Sequence, residues 1–219
     1  MNTTQYFDEM YIMQTDKDRR TAMASEMSAQ LKERFNDIQT SETKDITAIE
    51  EILIAVFIYI LFKYFSITDD VKPYVLGYTN KLDIDKNSKQ LVDIVKGNLY
   101  DISNTTAEQF DKAYTFSDER ADTIAVNETN ILVNTETQQI ALEMGYTHHK
   151  WVTMEDERVR KTHKHANGQI KPINKPFTVG KYKLMYPMDE SLGAGAEEIV
   201  NCRCVEVFLN ENDVSSENT

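Results

Sequence analysis

Both cysteines of the chain lie one residue apart, in Asn201-Cys202-Arg203-Cys204, and two of its four histidines fall in the stretch 150–165, KWVTMEDERVRKTHKH. That stretch also carries the only tryptophan, Trp151, the acidic triplet Glu155-Asp156-Glu157, and Arg158 and Arg160. Three chemistries suit these residue types. The first is a zinc site. Cys-x-Cys and His-x-His each put two ligands on one side of a strand, and Cys202, Cys204, His163 and His165 satisfy a tetrahedral ion, with Asp156 as an alternative ligand or supporting partner. The second is acid–base work on phosphodiesters, in which His163 and His165 carry protons and Arg158 or Arg160 stabilises charge. The third is a purely structural brace of Trp151, Asp156, Arg158, Arg160 and Arg203, in which Arg158 and Arg160 pair with acidic neighbours and the thiols are small buried side chains.

The zinc reading has a physical motive of its own. The C-terminal part has roughly sixty residues, near the size at which an apolar core alone is marginal. A Cys202–Cys204 disulfide would close almost no loop and be strained, so it would constrain the unfolded chain little. A metal would tie the end of the chain to the 163–165 segment across a far longer loop. Cys202, Cys204 and His163 are therefore expected to converge, with His165 or Asp156 in the fourth position.

The elements that must position these groups differ before and after Gly145. From Tyr6 to Ile38, apolar residues recur at three- and four-residue steps (Tyr6, Met10, Met13, Met23, Met27, Leu31, Phe35), which predicts a long helix. A polar break at 40–45 offers Ser41 or Thr43 as the next cap. The apolar run 52–62 is too short to span a membrane and is closed by Glu51 and Lys63, so it reads as a buried helix, and no membrane contact is expected. Residues 81–116 read as helix, with a new short helix starting at Asn104-Thr105-Thr106, and 117–145 as a further one ended by Gly145. Beyond it, Asn167-Gly168, Pro172, Pro176, Gly180 and Pro187 punctuate short extended runs, and 202–209 alternates as a closing strand. The fold class is therefore α+β: a mainly helical part followed by a small β-rich module. The divisions expected are a helical region at 1–116, a module at 117–210 and a disordered polar tail at 211–219.

Charge narrows the function classes. The chain carries 24 basic and 36 acidic residues, and residues 1–146 hold most of the excess acid, with 14 basic against 25 acidic. That excludes a generic nucleic-acid binder, whose phosphate contacts need Lys and Arg. Residues 150–183 reverse the balance, 9 basic against 3 acidic, so a local basic patch remains open. Two cysteines so close together do not make a secreted disulfide framework, and reduced thiols in a cytosolic setting are expected. The first twenty residues show no signal-peptide pattern.

The ordered set Lys150-Trp151, Thr153, Asp156, Arg158-Val159-Arg160, His163, Gly168, Pro176-Phe177, Tyr186-Pro187, Asp189, Gly193, Glu197 and Asn201-Cys202-Arg203-Cys204 resembles the phage Mu F-like minor head protein family. Arg120-Ala121, Thr123-Ile124-Ala125 and Glu128-Thr129 resemble the helix that precedes this set in the family. The resemblance covers about residues 117–205. Two departures stand out: Val126 takes the place of the usual arginine, and Ala166-Asn167 that of a leucine and an aspartate before Gly168. The resemblance implies a minor capsid protein present in few copies, in the virion head interior or at the portal vertex, and in the host cytoplasm during assembly. It implies portal, capsid or scaffolding proteins as partners, contact with packaged DNA, and a role in head morphogenesis and DNA packaging or ejection, without catalysis. The alternative from another class is a nuclease-like or other metal-dependent enzyme acting on nucleic acid. That alternative requires an open cleft in which His163 and Arg160 meet solvent.

Overall fold

A computed structural model describes residues 3–217, with side chains from 16 to 215. The chain divides into two compact units, Thr21–Glu128 and Met1–Arg20 with Thr129–Thr219. Their boundaries fall inside two long helices, α1 (Thr3–Ser41) and α5 (Asp118–Glu143), whereas the sequence suggested a division near residue 117.

The unit Thr21–Glu128 is helical throughout. Met23, Met27, Leu31 and Phe35 of α1 are wholly buried, so this part of the methionine stripe is core; Tyr6, Met10 and Met13 lie outside the described side chains. Helix α2 (Ile46–Phe65) places Ile49, Leu53, Phe57 and Ile60 in the same interior while Phe62 stays exposed. Its cap is Asp45, whose carboxylate accepts from the Ala48 N–H, and not Ser41 or Thr43: α1 continues through Ser41. After a single turn, α3 (Lys72–Val75), the next helix is α4 (Lys86–Glu108), capped by Asp85, so Leu82 and Ile84 precede it. The break expected at 104–106 is absent. Thr106 bonds back to the Ile102 carbonyl at 2.6 Å, which satisfies its hydroxyl inside a continuous helix. A 3₁₀ turn, Ala113–Phe116, leads into α5. Arg120 is buried there, donating to the Thr115 carbonyl and the Thr106 hydroxyl with its guanidinium 5.0 Å from the Phe35 ring centroid. No described helix is long and apolar enough to cross a membrane.

In the other unit, Gly145 takes a left-handed conformation and ends α5, as its position predicted, with the Tyr146 N–H reaching the Ala141 carbonyl. The chain then forms β1 (His148–Val152), α6 (Lys161–Ala166), β2 (Ile170–Pro172), β3 (Phe177–Val179), β4 (Tyr182–Leu184), α7 (Ala196–Ile199) and β5 (Val205–Leu209). Strand β1 is central in an antiparallel sheet of order β2-β1-β5, and β3 and β4 make a hairpin. The Gln169 side chain ties the two together by pairing with both backbone groups of Thr178. The architecture is α+β, with all described strands after residue 147. The polar tail departs from expectation: Glu211–Glu217 forms a helix, α8, where the Asp213 carboxylate accepts from the Asn210 N–H and the Ser215 hydroxyl bonds the Glu211 carbonyl.

The interior of this unit is small and mixed in character. Trp151, Phe177, Val179, Leu184, Met188 and Ile199 pack with Ala166 and both cysteines. Trp151 meets Phe177 edge-on, centroids 5.3 Å apart. Asp189 is buried and accepts from the Met185 and Ser191 N–H groups, fixing the turn after Tyr186-Pro187.

Candidate metal centre

His163, Cys202 and Cys204 converge. Each is buried, and one ligand atom from each lies within 4.8 Å of the others. The His163 Nδ1 is 3.3 Å from the Cys204 Sγ and 3.6 Å from the Cys202 Sγ. A tetrahedral zinc with bonds of about 2.3 Å to sulfur and 2.0 Å to nitrogen requires a nitrogen–sulfur separation of about 3.5 Å. The side chains already stand at that separation.

Local sequence explains the placement. Val200 closes α7 and Asn201 follows in a left-handed conformation (φ 59°), which asparagine tolerates better than most residues, just before Cys202. The Cys202 N–H bonds the Ile199 carbonyl, and Asn130 of α5 donates its side-chain amide to the Cys202 carbonyl. One residue on, Cys204 enters the same interior just ahead of β5. From α6, His163 points inward with its ring edge-on to Trp151, centroids 5.7 Å apart.

The other nitrogen of His163 is also engaged. Its Nε2 lies 2.9 Å from a Glu198 carboxylate oxygen, which also accepts from the Thr162 hydroxyl at 2.8 Å. A carboxylate on one ring nitrogen orients the other toward a metal. Sequence reasoning missed Glu198. Glu197, which belongs to the family pattern, instead bonds the Tyr182 hydroxyl at the surface. An acidic pair just before the Cys-x-Cys was the available signal.

Electrostatics fit a cation. The hydrogen bond between the two thiols, with help from His163, holds Cys202 below the ordinary thiol range, while the same bond and burial push Cys204 up. Two adjacent buried thiols thus share one negative charge readily and resist a second until a cation arrives. The Trp151 indole N–H is buried without a hydrogen-bond partner at bonding distance, and its pull favours the anionic form of Cys204. An orphaned donor beside a sulfur suits a metal-bound thiolate.

Two expected fourth ligands are elsewhere. His165 is exposed and does not join the group. The segment is a short helix, as expected for 155–165, and on it residues two apart point about 200° apart around the axis, so the strand geometry assumed for the two histidines does not apply. Asp156 has both oxygens on the Arg203 guanidinium at 2.8 Å, a bidentate pair that holds its carboxyl down at about 2. Arg158 is mostly exposed, with Nε 3.8 Å from Asp156, and Arg160 donates to the Val200 carbonyl. The brace is thus Asp156 with Arg203, while Trp151 meets the histidine edge-on.

A second buried polar pair lies on the sheet and was also missed. His149 Nδ1 is 2.6 Å from Glu206, and its Nε2 bonds the Lys175 carbonyl. Burial raises the Glu206 carboxyl to about 7. Since side chains alternate along β1, Trp151 in the core was the signal that His149 faces inward too.

The model of the Phage Mu protein F like protein family matches residues 83–207. The chain belongs to that family. As a Mu F-like protein it is a phage head morphogenesis protein of a structural head family, associated with other head components. No curated protein and no solved structure matches the chain. In this Mu F-like chain the family-pattern residues Trp151, His163, Cys202 and Cys204 form the interior of one unit, and Asp156 with Arg203 closes its surface.

Proposed function

We propose that this Mu F-like protein is a minor head component that works by binding at the portal vertex, where it serves DNA packaging or ejection. We further propose that zinc on His163, Cys202 and Cys204 holds its C-terminal unit together. The family match over residues 83–207 carries the head assignment. The fit of nitrogen and sulfur to tetrahedral zinc supports the metal. Zinc would supply structural cross-linking there, with Glu198 orienting His163.

Burial of His163, with both ring nitrogens engaged, favours binding over catalysis, because a general acid or base must reach its substrate. Particles made without the protein are expected to assemble shells that deliver DNA poorly. Full infectivity of such particles contradicts the head role. Cross-linking in intact particles is expected to recover portal, capsid or scaffolding protein. Hydrolysis of nucleic acid that disappears in His163→Ala establishes the enzyme alternative instead.

A further inference from the structure

The fourth position of the proposed metal has no protein ligand among the described residues. Each nearby candidate is committed elsewhere: Asp156 to Arg203, Glu198 to the far nitrogen of His163, and His165 to solvent. What borders the three ligands instead is a pocket of about 20 Å³, lined by His163, Cys202 and Cys204 together with Arg158, Arg160 and Arg203. A single water needs about 10–15 Å³, so the ion-free pocket admits only about one small atom at a time and a larger group must remain outside it.

Charge selects the ligand. Two thiolates neutralise a divalent ion and a neutral imidazole adds nothing, so the coordinated centre is neutral. Three guanidinium groups border it. Asp156 pairs with Arg203 and lies 3.8 Å from Arg158, Arg160 gives one N–H to the Val200 carbonyl, and neither Glu155 nor Glu157 lines the pocket, so three guanidinium groups face one carboxylate. Arg158 is exposed, with three-quarters of its side chain accessible, and stands at the solvent side. The geometry points to an open metal position that takes one oxygen of a phosphate-class oxyanion, whose remaining oxygens meet Arg158 and Arg160. Guanidinium forks pair with phosphate oxygens in two-point contacts. A carboxylate bound through one oxygen has only one left for two arginines, whereas phosphate has three. The inference rests on the metal reading above and adds its ligand.

Cobalt(II) in place of zinc reports the fourth ligand through its visible spectrum. The full chain is loaded with cobalt and titrated at constant ionic strength with inorganic phosphate, with acetate, and with a short DNA duplex. Phosphate is expected to shift the visible bands saturably, acetate far more weakly. Arg158→Ala, a change at an exposed side chain, is expected to raise the phosphate midpoint about tenfold or more, the size of a lost charge-assisted contact. Arg160→Lys, which keeps the charge and loses the fork, is expected to raise it less. A duplex that reproduces the shift assigns the site to backbone phosphate; a duplex without effect assigns it to the free anion. Bands indifferent to phosphate, or equally responsive to acetate, overturn the oxyanion site and leave the metal in place. Absence of thiolate-to-cobalt charge-transfer bands removes the metal and this inference together.

Discussion

The two units solve the same problem with different materials. In Thr21–Glu128 the interior is built from large apolar side chains on long helices: Met23, Met27, Leu31, Phe35, Leu53 and Phe57 are fully buried. In the C-terminal unit the interior is short of such residues. Around Trp151 and Phe177 it holds two histidines, two thiols and the carboxylates of Glu198 and Glu206. Apolar burial stabilises without direction, at about 25 cal/mol per Å², whereas buried polar groups stabilise only when every partner is in place. The helical unit should therefore yield gradually to truncation, and the C-terminal unit should fail as a whole when one member of its network is removed.

The largest expected effect is removal of the metal. Chelation, or Cys204→Ser, should open the C-terminal unit to proteolysis while Thr21–Glu128 keeps its helical signal, because a structural zinc site couples binding to folding by about 10 kcal/mol or more. Loss of both units together would break the comparison. Next is Phe57→Ala in α2, expected to cost about 3–5 kcal/mol by denaturant unfolding of the helical unit, with zinc binding unchanged. A third test is Glu198→Ala. Without the carboxylate on Nε2, His163 should lose its orientation, and metal affinity measured by chelator competition should fall about 10–100-fold. Unchanged affinity would show that packing against Trp151 is enough to hold the ring.

The smallest effect concerns pH. Glu206 has its carboxyl raised to about 7 by burial, so the folded state binds the proton more tightly than the unfolded one. Its contribution is fully present below the ordinary carboxylate value and is lost as pH rises through 7. Glu206→Gln should flatten that part of the stability profile between about pH 4.5 and 7. A slope unchanged by the substitution would mean that another group titrates there.

How much of this was legible in the sequence follows from the same contrast. Apolar period located α1, α2 and α5, because one buried stripe is enough to specify a helix. It misjudged 104–106, since a threonine that bonds its own helix carbonyl removes the break that its residue type suggests. Residue type alone named His163, Cys202 and Cys204. It failed for His165 because the ligand spacing was read on a strand and the segment folded as α6. Glu198 and the His149–Glu206 pair were hidden for a different reason. Their partners lie 35 and 57 residues away, and only the β1–β5 register and the α6–α7 approach bring them together. The tail turned helical through local side-chain caps that composition does not record.

The most direct measurement is the zinc content of the purified full chain, taken with titration of its thiols under native conditions. One zinc per chain is predicted, with Cys202 and Cys204 protected from a thiol reagent until a chelator is added, and with Cys202→Ser reducing the metal to background. A folded chain without zinc, whose thiols stay protected whether or not a chelator is present, would contradict the account and leave the cysteines as packed core.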